Sequence, residues 1–211
     1  MTALLRLINW TSPSLPTGAF SYSHGLEAAF AEGLLASQQD VADWLEALVT
    51  QGSGWNDAVF CSLACRTPDD APALADLCSA LASSKERYEE TVHQGLAFLR
   101  AAEAWGEVTL ATETPFPVAF GAVSGREGIS AKECVAAYLN GFVSNLIQVA
   151  IRLGAFGQQG GVEVLASLEP ILGETAERVA TAMEDDLGSA ALMSDLMAMR
   201  HEHMSPRIFL S

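Results

Sequence analysis

Apolar side chains recur along this chain at the three-to-four-residue spacing of one helix face, punctuated by glycine, proline and serine. Leu4, Leu5, Leu7 and Ile8 predict a short opening helix, ended by the Thr11-Ser12-Pro13 and Leu15-Pro16 breaks. After a turn over Leu15 to Gly18, Phe20, Leu26, Ala29 and Phe30 predict a second helix from Ala19 to near Gly33. Ser37 with Asp40 caps a third, carrying Val41, Trp44, Leu45 and Leu48 as far as the Gln51-Gly52-Ser53-Gly54 break. Trp55 to Cys65 forms the next segment, closed by Thr67-Pro68. The Ala-rich stretch Ala71 to Leu81 then leads through Ser83-Ser84 into a longer helix. That helix places Tyr88, Val92, Leu96 and Leu99 on its apolar face, with Glu86, Glu89 and Glu90 read as a solvated face.

Between Gly106 and Gly128 the periodicity is poorest, and only a short helix over Val118 to Val123 is predicted. Ser130 and Glu133 then form a capping box. Behind it Val135, Leu139, Phe142, Val143, Leu146, Val149, Ala150 and Leu153 make an apolar surface so wide that this helix belongs at the centre of a bundle. Gly154, Gly157, Gly160 and Gly161 predict a loop. Helices over Glu163 to Leu172 and Glu174 to Met183 follow, and a last one runs from Asp186 to about His201. No repeat or linker divides the chain. The expected fold is all-α: one domain over 1–211, eight to ten helices around a central helix near 131–153, with a tail at 203–211 that can order on binding.

Composition supports closely packed helices, since half of the residues are hydrophobic and only 18% are charged. The formal charge of −15, from 26 acidic residues against 11 basic, repels phosphate backbones and anionic membrane surfaces, so neither nucleic acid nor membrane is an expected partner. Leu4 to Ile8 is too short for a secretory signal and contains Arg6, which points to a cytoplasmic protein. The uncharged run Cys134 to Ile151 approaches the length of a membrane span, but Asn140, Ser144, Asn145 and Gln148 favour a buried helix. Cys61, Cys65, Cys78 and Cys134 follow neither zinc-site nor disulfide-framework spacing and read as free buried thiols.

No catalytic, metal or cofactor site stands out. The chain lacks the GxxxxGK[ST] phosphate cradle, so GTP hydrolysis by this chain itself is not expected. In His201-Glu202-His203 the imidazoles point about 200° apart on a helix, so both reach one metal only from a frayed terminus. Cys61 and Cys65 share a helix face without a third ligand beside them. His24 and His93 are lone histidines next to apolar stripes.

The densest stretch is Leu15-Pro16-Thr17-Gly18-Ala19-Phe20-Ser21-Tyr22-Ser23-His24-Gly25-Leu26-Glu27. It resembles the N-terminal signature of the UreF family of urease accessory proteins, a Leu-Pro-x-Gly-aromatic-Ser-x-Ser-x-Gly-Leu-Glu run. Arg152, Gly157 and Gln158 are similar to that family's Arg/Lys-x-x-Pro-Leu-Gly-Gln pattern, with Ala155 and Phe156 replacing its proline and leucine. His201, Glu202, Arg207, Phe209 and Ser211 match the family ending His-Glu-x-x-Tyr-Ser-Arg-Leu-Phe-Arg-Ser, from which Ser205, Pro206 and Leu210 depart. The resemblance implies a non-catalytic, dimeric scaffold that joins a UreD/UreH-type partner and the GTPase UreG to deliver nickel to the urease apoprotein. It also implies that Phe20, Ser21, Tyr22, His24, Glu27, Arg152 and Gln158 face the GTPase or the dimer partner, and that Arg207 and Phe209 face the UreD/UreH-type protein. Two rivals make distinct predictions. A small helical enzyme would gather His24, Glu27 or His201-Glu202 in a ligand-sized pocket, and a nickel chaperone would bind metal through His201 and His203.

Overall fold

Ten α-helices and no strands make up the computed structural model, which describes residues 1–211. They are α1 (Thr2–Trp10), α2 (Leu26–Ala31), α3 (Gln38–Gln51), α4 (Ser53–Arg66), α5 (Ala71–Ala80), α6 (Lys85–Ala102), α7 (Phe116–Arg126), α8 (Ala131–Arg152), α9 (Gln158–Val179) and α10 (Leu192–His201). One continuous apolar core runs through them, as the amphipathic spacing and the absence of a linker require.

Serine N-caps explain the starts of α3, α6 and α8. Ser37 Oγ accepts from the Asp40 N–H at 3.1 Å while Asp40 Oδ2 accepts from the Ser37 N–H at 2.8 Å, a complete capping box at α3. At α8 the box is rearranged: Ser130 caps the Glu133 N–H, but its hydroxyl also donates to Glu133 Oε2 at 2.6 Å. The centre of the bundle is shared by two helices. In α4 an unbroken run from Asp57 to Cys65 is buried, whereas α8 keeps Asn140 exposed and Phe142, Ser144 and Asn145 half-buried along one flank. Length and composition alone would let α8 cross a membrane, but 50% of its most apolar window is buried in the bundle, and Asn140, Ser144, Asn145 and Gln148 lie among the rest.

The closest crossing joins α4 to α7, and it depends on absent side chains. A Cβ on Gly121 would lie 2.2 Å from the Cys61 carbonyl oxygen and one on Gly125 would lie 2.1 Å from that of Cys65, so only glycine lets the backbones meet. All four cysteines are buried and free, with Cys61 and Cys134 Sγ atoms 3.4 Å apart between α4 and α8.

Four expectations change. Residues 19–21 form only a 3-10 turn, and the chain extends at Tyr22 before α2 starts at Leu26, because His24 and Gly25 take left-handed φ values of 56° and 78°. Gly160 and Gly161 lie inside α9, leaving 153–157 as the loop. The stretches expected over 163–172 and 174–183 are one helix: Pro170 removes a single N–H, while Leu168, Leu172, Thr175, Ala176 and Val179 continue one buried stripe past it. Finally, α10 begins at Leu192, since residues 187–191 run extended after a 3-10 turn at Glu184–Asp186.

Candidate functional site

The apolar face assigned to α6 is displaced. Tyr88 is exposed, while Glu86, Arg87, Glu90, Thr91 and Gln94 are buried on the face that continues into Phe98, Leu99 and Ala102. Buried charges persist only when paired, and each of these is. Arg87 donates from Nη2 to Asp57 Oδ2 at 3.2 Å and from Nη1 to Glu90 Oε2 at 3.0 Å. Tyr138 of α8 adds a hydroxyl donor to Asp57 Oδ2 at 3.0 Å. Glu90 also accepts from Ser211 Oγ at 3.0 Å and from Gln94 Nε2 at 3.2 Å. Burial pushes the Glu90 carboxyl up, but Arg87 and His24 beside it outweigh that and pull it down to about 2. For Tyr138, burial and the neighbouring Asp57 carboxylate raise the phenol well above its usual range.

A second cluster adjoins the first. His201, fully buried on α10, lies with Nδ1 2.8 Å from Glu86 Oε2 and Nε2 3.0 Å from Glu27 Oε2. With a carboxylate at each nitrogen, the ring donates to both only as the imidazolium. Glu27 further accepts from the Ile208 and Phe209 N–H groups at 2.7 and 3.0 Å. Burial pushes the Glu27 carboxyl up, and the hydrogen bonds from His201, Ile208 and Phe209 more than offset this, so its pKa is lowered. Arg207 bonds the other Glu86 oxygen, Oε1. Next in sequence, Glu202 Oε1 accepts from the Lys85 N–H at 2.9 Å, placing a negative charge at the positive end of α6.

This network fixes residues 203–211 against the signature segment. The Ser23 N–H donates to the Ser211 carbonyl at 2.8 Å and the Leu210 N–H donates to that of Ser21 at 2.7 Å, a short extended pairing. Phe209 is buried, and the Arg152 guanidinium lies 4.3 Å from its ring centroid. The same Arg152 donates from Nη1 to the Phe20 carbonyl at 2.6 Å. Gly25 makes the assembly possible: a Cβ there would stand 2.7 Å from the Ala198 nitrogen, so α10 could not approach α2 closely enough to bring His201 to Glu27.

The expected contact residues therefore divide by accessibility. Phe20, Ser21, Arg152, Gln158 and Arg207 are exposed. Tyr22, His24, Glu27 and Phe209 are buried, and in this subunit they hold its own elements together. Tyr22 OH lies 3.2 Å from His93 Nδ1, and His24 Nε2 bonds Ser53 Oγ. Sequence reasoning missed Asp57, Arg87 and Tyr138 and read Glu86 and Glu90 as solvated. Extending the Phe98-Leu99-Ala102 face backwards in steps of three and four would have landed on Glu86, Arg87 and Glu90, whereas no spacing within α6 points to Asp57 on α4 or Tyr138 on α8.

Glu27 and His201 meet while His24 faces Ser53 and Glu90, and the 420 Å³ cavity beside the network is lined by none of the three. His201 is buried and His203 exposed, so the two imidazoles share no site. No group of three or more His, Cys, Asp or Glu side chains forms a metal-binding cluster.

Comparison with known proteins gives a consistent result. The UreF family model matches residues 35–169. The chain is 48% identical over 216 residues to the urease accessory protein UreF of Brucella ovis, covering 100% of this chain and 95% of that protein. It is 48% identical over 214 residues to urease accessory protein UreF 1 of Brucella anthropi, with coverage of 99% and 94%. Against the urease accessory protein UreF of Mesorhizobium japonicum it is 47% identical over 215 residues, covering 99% and 96%.

Proposed function

The chain belongs to the UreF family of urease accessory proteins, and from that premise we propose that it is a non-catalytic scaffold of urease maturation. In this reading it works in the cytoplasm as a homodimer, binds a UreD/UreH-type protein, and recruits and regulates the GTPase UreG while nickel enters the urease apoprotein. The observation that carries the reading is the position of Arg152, an exposed guanidinium bonded to the Phe20 loop and stacked on Phe209 of the 203–211 segment. A partner touching either segment thereby meets a surface whose shape depends on the other. Phe20, Ser21 and Gln158 offer contact on the loop side and Arg207 on the other. Exposed aromatics and arginines of this kind are common interface anchors. Buried Tyr22, His24, Glu27 and Phe209 act as positioning residues beneath that surface. For the homodimer, the open apolar faces are Leu4, Leu5 and Ile8 on α1 and Leu192, Met193, Leu196 and Met199 on α10.

Co-purification with folded UreD/UreH-type and UreG partners tests the proposal. Wild-type protein is expected to form the complex, and Arg152→Ala to weaken it by about tenfold or more, as loss of an anchor does. Wild-type protein that forms no complex with either folded partner overturns the reading, as does turnover of a small molecule by the isolated chain.

A further inference from the structure

We propose that the cavity between the Thr11–Phe20 loop, α6, α7 and α8 is a binding site for a small organic cation, an aromatic or branched alkyl body carrying a primary ammonium or amidinium group. The inference is independent of the assembly role proposed above, because it concerns a site inside one subunit.

Size comes first: the cavity encloses about 420 Å³, within the range of small-molecule sites and large enough for a ring with a short side arm. Its walls are aromatic, with Trp10, Phe116, Phe120 and Phe142 among the lining residues. Such walls favour an apolar body and offer π faces to a cation.

The charged lining residues set the sign. Asp57, Glu90 and Arg87 all reach the cavity, two carboxylates against one guanidinium, so this part of the lining carries a net negative charge. Arg87 is already engaged by both carboxylates. On Asp57, however, Oδ2 takes both hydrogen bonds, from Arg87 and Tyr138, and Oδ1 receives none from the protein although the residue is only 7% exposed. An unfilled carboxylate oxygen in a buried residue is an acceptor awaiting a donor, and an ammonium supplies donor and charge together. Thus Asp57 Oδ1 is the acceptor the chain leaves for a guest to satisfy. An anion would meet net negative charge, and a body without a donor would leave Asp57 Oδ1 unfilled.

Val162 lines the cavity while remaining 62% exposed, which places it where the cavity meets solvent. Gly141 also lines it, and a Cβ there would meet only Thr11 atoms at 3.6 Å. These positions allow the cavity to be blocked or filled without touching the buried charges.

The test is calorimetric titration of the full chain with 2-phenylethylammonium, 2-phenylethanol and phenylacetate. Expected is saturable binding of the ammonium at least about tenfold tighter than the alcohol, phenylacetate weakest, and loss of binding in Val162→Trp. Gly141→Leu, filling the cavity from α8, is expected to lose it as well, with helical circular dichroism unchanged in both variants. Absence of saturable ammonium binding, equal affinity for amine and alcohol, or unchanged binding in both folded variants would overturn the proposal.

Discussion

At His201 the ring stands between Glu27 and Glu86 with no water-facing surface, so its removal leaves two buried carboxylates sharing only Arg207 and backbone donors. His201→Phe keeps a ring but removes both ring nitrogens that face the carboxylates, and is expected to destabilise the fold by about 3–5 kcal/mol. Exposed His203→Ala should shift stability by less than about 0.5 kcal/mol. Chemical unfolding of both variants checks the contrast. Acid should act through the same groups. Glu27 and Glu90 both titrate lower in the folded chain than in an unfolded one, so their stabilisation is complete above the ordinary carboxylate range. It is lost as pH falls, for Glu90 between that range and about pH 2. Glu90→Gln is therefore expected to start less stable at pH 7 and to lose less than wild type as pH drops from about 5 to 2, read as melting temperature against pH.

Helix α6 shows how an element can be located correctly and oriented wrongly. Its start at Ser84 was legible because a serine N-cap is a local feature, and Ser84 Oγ does accept from the Arg87 N–H at 3.1 Å. Its buried face was not, because hydrophobic periodicity assumes that charges face water, and here His24 and partners on α4, α10 and the 203–211 segment take the place of solvent. For α4 and α7 the deciding feature is the missing side chains at Gly121 and Gly125. Gly125→Ala should destabilise by about 1–3 kcal/mol or more, since its Cβ would run into the Cys65 carbonyl. Gly173→Ala in α9, where nothing lies within 4 Å, should instead stabilise by about 0.5–1 kcal/mol through helix propensity. Thermal denaturation of the pair separates backbone crowding from propensity.

Across the whole molecule, residues 203–211 work as a clasp. Their backbone donates to Glu27 and Ser21, Phe209 enters the core, and Ser211 reaches Glu90, so this segment joins the signature turn, α2 and α6. A chain ending before Ser205 loses a buried phenylalanine and several charge-assisted hydrogen bonds, and is expected to be at least about 3 kcal/mol less stable while keeping its helix content. Circular dichroism melts of the intact and shortened chains measure this, and the same pair in a pull-down tests whether Arg207 and its neighbours select the UreD/UreH-type partner. The net charge of −15 favours basic partner faces, so association should weaken as salt rises.

The sequence by itself determined the all-helical class, most helix starts, the exclusion of a phosphate cradle and the family, because caps, breaks and short motifs are properties of neighbouring residues. Only the tertiary structure decided which charges are buried, that Gly25 lets α10 meet α2, and that Asp57 and Trp10 border one cavity. Those facts depend on residues up to 188 positions apart being brought into contact, and no local pattern records a distance across the fold.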